Sequence, residues 1–484
     1  MRVARQYYGP GYALVYKRTG KDPNSVKVVK PAITPVPVNR EAASGFYKEV
    51  TSLPTPELQP VFVDYKKDIQ EVKLASGVPV YYTRNQENNL FSLYYVLDLG
   101  TNNDPKLGLA TDYLQYLGTD KYTAAQLQQE FYKLGCSFAV QSGQDRTFVS
   151  LSGLDSNFEA ALELFESLLH APKPDAAALK NMVAGVLKAR QDAKLNKSVI
   201  LSQAMVNYAK YGSKNPFTTQ LSEKELKALK PEQLTALIKS LPTYQHRMLY
   251  YGPRQEVFKG ETVEAASSAD LALPKPGLVD IINKLHRTPA KLTPTPPAKD
   301  FAELPMTDRK VYWVDYNMVQ AEILFLSKGP LYDKALVPTA SLYNEYFGGS
   351  MGSIVFQELR ESKALAYSAS SRFANADKLG RSSYNLSYIG TQSDKLPEAM
   401  AGMSTLLNDM PVAEANLQIA KQSIRNSIAT ERITKADILL SYERAKRLGL
   451  DYDLRRDVYE QTQNMSFDDL RKFQQARVKG QPQS

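Results

Sequence analysis

Histidine and cysteine are nearly missing from this chain, with three of the first and one of the second among 484 residues. A lone Cys136 excludes an internal disulfide and any cysteine-rich metal site; beside Gly135 and Phe138 it reads as a small hydrophobe opening a buried strand. His170, His246 and His286 are scattered, and no two sit at helical spacing, so each reads as a structural or surface histidine rather than a ligand. No apolar stretch reaches the length of a membrane span. Met1–Arg18 lack the apolar centre of a signal peptide, so the chain shows no address and its compartment stays open. No basic run reaches five residues: the net charge of +9 is spread along the chain, which argues against a nucleic-acid partner. There is no convincing Cys–His pair, and an independent hydrolase has little support. The turn Gly348-Gly-Ser-Met-Gly352 lacks the lysine of a phosphate loop and reads as a flexible turn before a helix.

What remains is ample material for folding. Hydrophobic residues make up 43% and charged residues 23% of the chain, and its 30 tyrosines suit half-buried sheet faces and polypeptide-binding surfaces. A chain of this length predicts two or three domains. Two proline-rich stretches divide it: Lys30–Val38, continuing to Pro54, Pro56 and Pro60, and Pro274–Pro305, both read as extended connectors.

The blocks beside these connectors repeat one order. In the first, strands at Val78–Tyr82 and Phe91–Leu99 lead to helices at Leu107–Leu117 and Ala124–Leu134. Strands near Ser137–Gln141 and Thr147–Leu151 follow, then helices at Phe158–Leu169, Ala176 towards Lys210 and Pro231–Leu241, and a strand at Arg247–Tyr251. In the second, strands at Val311–Asp315 and Ala321–Leu326 lead to helices at Lys334–Phe347 and Ser353–Lys363. Strands at Ala366–Phe373 and Ser382–Ile389 and helices at Leu396–Leu407, from Glu414, and near Phe467–Val478 complete it. The predicted fold is α+β: two homologous domains, residues 66–255 and 309–484, each an antiparallel sheet with helices packed on one face. Residues 256–308 are read as the linker between them, and residues 1–65 as the end of a preceding half plus a connector. The segment Tyr7–Tyr16 echoes Tyr250-Tyr-Gly-Pro253, whereas the second block stops where a strand is due. The expectation is that Tyr12–Lys17 fills the vacant edge of the second sheet.

Gly108-Leu-Ala-Thr-Asp-Tyr-Leu-Gln-Tyr-Leu-Gly-Thr119 resembles the metal helix of the insulinase/pitrilysin zinc peptidases, in which His-x-x-Glu-His follows Gly-Leu-Ala. Asn344–Tyr367 resembles the family's glycine-rich turn, helix and strand, and the doubled block resembles its paired α+β domains. Two imidazoles four residues apart would meet one metal from adjacent helical turns, with a carboxylate between them as general base. The matching positions here hold Thr111, Leu114 and Gln115, and no carboxylate lies around Gly185–Lys188, where the family takes a further ligand. The chain is therefore similar to the family's C-terminal, non-catalytic half.

The resemblance implies that Arg360 and Tyr367, seven residues apart, reach across to the active site of the other half. Arg360 would grip a peptide carbonyl or carboxylate with its planar fork, and Tyr367 would donate to the oxyanion of the attacked carbonyl. Read from the residues alone, Arg360 is equally a solvated helical charge beside Glu358 and Glu361, and Tyr367 a core tyrosine in an apolar strand. The resemblance further implies no cofactor in this chain and zinc in a partner, either the catalytic half of the same precursor or a separate subunit, with a polypeptide as substrate. The alternative is an inactive peptidase-like structural or peptide-binding subunit.

Overall fold

Alternation of apolar residues on strand faces and the 3.6-residue repeat on helices account for most of the architecture of this computed structural model, which describes residues 2–9, 11–16, 20, 44–54, 58–254 and 277–484. The chain divides into two units, residues 1–57 and 58–484. The first holds helices Arg2–Tyr7 and Gly45–Ser52. The strand expected at Tyr12–Lys17 is not formed: Gly11–Tyr16 carry no regular structure, and Lys17 lies outside the described residues. The apolar side chains of this segment, Tyr12, Leu14, Val15 and Tyr16, are exposed, and residue type alone does not make a ladder. The proline-rich stretch Lys30–Val38 also lies outside the described residues.

The second unit carries two sheets. Six strands, β1 (Gln70–Lys73), β2 (Pro79–Arg84), β3 (Leu90–Leu97), β4 (Cys136–Ser142), β5 (Thr147–Leu154) and β6 (Arg247–Gly252), pair in the order β1-β2-β6-β3-β5-β4. All pairs are antiparallel except β2 with β6, which run parallel with Val80 opposite Met248. Three strands, β7 (Gln320–Leu331), β8 (Ser368–Ala374) and β9 (Ser382–Gln392), pair antiparallel in the order β7-β9-β8.

Each sheet has its own core. Val80, Phe91, Leu93, Val149 and Met248 of the first pack on Leu162, Phe165, Leu234 and Ile238 from helices Phe158–His170 and Pro231–Ser240. Phe325, Phe373 and Ile389 of the second pack on Tyr343, Phe347, Met403, Leu417 and Phe473. The opposite faces are covered too, and by exchange. Leu439 and Ala445 of helix Ala436–Arg447 lie with Val96, Leu249 and Tyr251 of the first sheet. In return, Val206 and Ala209 of helix Val206–Tyr211 lie with Leu324, Leu326, Tyr384 and Leu386 of the second.

The stretch read as an extended connector, Pro274–Pro305, contains a helix at Leu278–Leu285. Its prolines fall outside those eight residues, and Leu278, Ile281 and Ile282, at helical spacing, are buried in the first core. The strand expected at Val311–Asp315 is absent: these residues pair with no strand, and Trp313 is 79% exposed. No helix of the described residues is long and apolar enough to cross a membrane.

Candidate functional site

The segment that matched the family's motif begins at a glycine that is needed sterically. A Cβ on Gly348 would fall 2.3 Å from the Ser371 carbonyl oxygen of β8, so the turn lies directly against the strand. Asn344 fixes this approach: its Oδ1 accepts from the Phe373 N–H at 2.6 Å, and its Nδ2 donates to the Phe373 carbonyl at 3.0 Å. The chain then winds into a π-helical turn at Phe356–Ser362, where Lys363 N–H donates to Glu358 O at 3.2 Å. One widened turn adds a residue to the helix and re-aims the side chains that follow. Ala364 takes the left-handed conformation at φ 49°, and Leu365 and Ala366 both donate to the Leu359 carbonyl, turning the chain into β8.

These features bring Arg360 and Tyr367 together. The Arg360 guanidinium sits 4.8 Å from the centre of the Phe356 ring and 5.6 Å from that of Tyr367, within cation–π range of both. Tyr367 is 76% exposed rather than part of the core, held at its backbone by an N–H bond to Gly390 O at 2.9 Å. Arg360 approaches Glu361 at 3.5 Å with its side chain 42% exposed, too loosely to hold the fork closed. The outcome is a guanidinium steadied by two rings beside an exposed phenol.

The motif helix looks different. Thr111 is buried and donates to Gly108 O at 2.8 Å, Leu114 is buried in the first core, and Gln115 is exposed in a 3₁₀ turn. A hydroxyl already bonded to backbone, a leucine and an outward amide do not fit zinc. Among the described residues no group of three or more His, Cys, Asp or Glu is placed to hold a metal.

The three histidines, scattered in the sequence, meet in the fold: His170 and His286 flank Glu166, and His246 joins them through His286. His286 Nδ1 lies 2.8 Å from Glu166 Oε1, Tyr95 donates to the same oxygen at 2.5 Å, and His170 Nε2 approaches Oε2 at 3.2 Å without the alignment of a hydrogen bond. His246 donates from Nδ1 to the Tyr244 carbonyl at 2.7 Å, leaving its Nε2 to accept from His286 Nε2 at 3.0 Å. Burial works against ionisation of Glu166, but the close approach of His170 and the bonds from His286 and Tyr95 outweigh it and hold the carboxyl at about 2. Burial, then the neighbouring His286, lowers His246 to about 4. Separations of 40 and 120 residues between members leave no local sequence signal for this cluster.

A double-sheet α+β body whose motif helix carries no metal ligand is thus the class of molecule. A family model described as insulinase (peptidase family M16) matches residues 93–216, and one described as the peptidase M16 inactive domain matches residues 278–423. The chain belongs to the insulinase family of peptidases. No curated protein matches it in sequence. Among solved structures, the peptidase M16 inactive domain from Pseudomonas fluorescens is similar at 18% identity and a TM-score of 0.63, covering 86% of this chain and 96% of that one. The periplasmic protease PqqL from Escherichia coli is similar at 13% identity and TM-score 0.64, over 90% of this chain and 50% of its own. A mutant of the ferredoxin protease FusC in complex with Arabidopsis ferredoxin is similar at 14% and 0.63, over 88% and 46%. The chain thus spans half or less of the two named proteases, and at these identities the likeness concerns the fold.

Proposed function

We propose that this chain is the non-catalytic half of a two-part zinc metallopeptidase, enclosing and binding a polypeptide that a zinc-bearing partner cuts. The partner is the catalytic half of the same precursor or a separate subunit. The reading rests on one observation above all: Arg360 and Tyr367 stand together and exposed on a chain whose motif helix offers no metal ligand. Arg360 holds a carbonyl or carboxylate of the substrate through its planar fork, and the Tyr367 hydroxyl donates to the oxyanion that forms as water attacks. Zinc and the general base come from the partner half, and this chain holds no cofactor. The order of elements in residues 66–255 and 309–484 supports a duplicated α+β domain as the scaffold of such a wall.

The test is a mixing assay: this chain is added to a His-x-x-Glu-His half of the same family, and cleavage of a quenched peptide is followed. Activity should appear only with both halves present and fall with Arg360→Ala. No gain on mixing, with no effect of Arg360→Ala, would favour the inactive structural or peptide-binding subunit.

A further inference from the structure

Four cationic and three carboxylate side chains line a cavity of about 260 Å³ where the two blocks of residues 58–484 meet. The three carboxylates are already paired. Asp145, between β4 and β5, holds Arg447 at 3.0 Å and Lys378 at 3.4 Å. Asp377 approaches the same arginine at 3.4 Å, and Glu303 approaches Lys328 at 3.5 Å. Arg381, the third cation, is engaged by Asp300 at 2.6 Å.

The fourth cation is different. Lys210, on helix Val206–Tyr211, is half-buried, and among the described residues its ammonium has neither a hydrogen bond nor an ion pair. It stands 3.9 Å from the centre of the Tyr384 ring. Burial lowers its pKa, and the nearby Glu303 charge offsets part of that effect. Tyr384 lines the same cavity from β9 and is only 4% exposed, and its hydroxyl is buried without a hydrogen-bond partner. Folded proteins rarely leave such a group unmet. Burial first, then Glu303, raises the pKa of this phenol, so it keeps its proton and remains a donor.

An ammonium without an anion and an O–H without an acceptor, both at one tyrosine, call for the same ligand atom: an oxygen bearing negative charge. We propose that this cavity binds one carboxylate group, with Lys210 as its ion-pair partner and the Tyr384 hydroxyl as its hydrogen-bond donor. Only one lining cation lacks a partner, which selects a monoanion; a phosphate, carrying up to two charges, would stay half compensated beside three carboxylates. Tyr211, Pro216 and Phe301 line the cavity as well and suit a short hydrocarbon or peptide stem behind the carboxylate. The volume restricts the occupant to a small organic acid or the last residues of a peptide.

The site needs no zinc-bearing partner, so the full chain is tested alone and the result is independent of the peptidase reading. The probes are N-acetyl-alanyl-alanine, its C-terminal amide, hexanoate and inorganic phosphate, followed by titration calorimetry and by melting temperature. The dipeptide acid should bind saturably and raise the melting temperature, with the amide about tenfold weaker or worse, because it lacks the charge that Lys210 answers. Tyr384→Phe keeps the ring and should weaken binding about fivefold or more. Lys210→Met should abolish binding yet leave the melting temperature of the ligand-free chain unchanged or higher, since it removes a half-buried charge that has no partner. That combination separates loss of the site from loss of the fold. Hexanoate bound as tightly as the dipeptide would support a site for free organic acids, and preference for the dipeptide a site for peptide C-termini. Absence of saturable binding by both acids, equal binding of the amide, binding unchanged in Lys210→Met, or preference for phosphate would each overturn the proposal.

Discussion

Arg360 and Tyr367 perform different tasks in the proposed site, and kinetics can separate them. A donor to a developing oxyanion acts only in the transition state, so Tyr367→Phe should lower kcat of the mixed halves by about 10²-fold with KM nearly unchanged. Loss of the two-pronged grip should instead be felt in kcat/KM: Arg360→Lys keeps the charge but not the fork, and is expected to recover little of what Arg360→Ala loses. A second residue-scale prediction concerns the Glu166 cluster. His246 is lowered to about 4 from an ordinary value of 6.5, so the folded state binds fewer protons than the unfolded chain between those values. Its contribution is complete above 6.5 and is lost as pH falls to 4, on the order of 3 kcal/mol for a shift of this size. Glu166, held at about 2 against 4.5, adds a second loss as pH falls through that lower window. The melting temperature should therefore decline from pH 6.5 downward. His246→Gln, which keeps an acceptor for His286, should flatten the upper part of that decline and leave the lower part; an unchanged profile would contradict the assignment.

At the scale of elements, the turn at Gly348 governs where Arg360 and Tyr367 arrive. Gly348→Ala places a methyl 2.3 Å from Ser371 O and 2.4 Å from its N, both backbone atoms that cannot swing away. The expected cost is about 1–3 kcal/mol, read as a lower melting temperature, with reduced activity of the mixed halves as the turn at Phe356–Ser362 shifts. Much of this layer is legible in the sequence. Val80, Tyr82, Phe91 and Leu93 announce β2 and β3 by alternation, and the box formed by Thr123 and Gln126 marks the start of helix Ala124–Lys133. What escapes reading depends on partners distant in the chain. Val311–Asp315 has the residue types of a strand, but a strand needs a neighbour's hydrogen bonds, and among the described residues no strand pairs with it. The π-turn that sets Arg360 beside Tyr367 likewise has no sequence signature, so the pair was recognisable from the family motif but its contact geometry was not. Leu278–Leu285 hides because prolines around it dominate the local composition, although its apolar spacing is that of a buried helical face.

For residues 58–484 as a whole, the exchange of covering helices means that neither sheet is finished without the other block. Glu443, on the helix that covers the first sheet, stands at the centre of this dependence. Its carboxylate, 5% exposed, accepts from Arg247 Nε at 2.7 Å and Nη2 at 2.5 Å and lies 3.3 Å from Arg146 Nη1. Both arginines also pair with Asp98, at 2.8 Å and 2.9 Å, so β6, the residue after β3 and the residue before β5 share one charge network with a helix of the second block. Replacing such a group by hydrophobics need not destabilise, but removing one member leaves the rest buried without compensation. Glu443→Ala leaves two guanidinium groups sharing the single, partly exposed carboxylate of Asp98 and should cost about 3 kcal/mol. Asp451→Ala, which breaks the exposed pair with Lys66 (83% and 73% exposed), should cost less than about 1 kcal/mol. The form of the transition is as informative as its midpoint. If the exchanged helices make the two sheets one cooperative body, the parent unfolds in a single calorimetric step, and Glu443→Ala separates it into two as helix Ala436–Arg447 loosens from Leu249 and Tyr251. A parent that already melts in two steps, or a Glu443→Ala variant whose midpoint matches that of Asp451→Ala, would show that each sheet is held by its own core and that the exchanged helices only cover it.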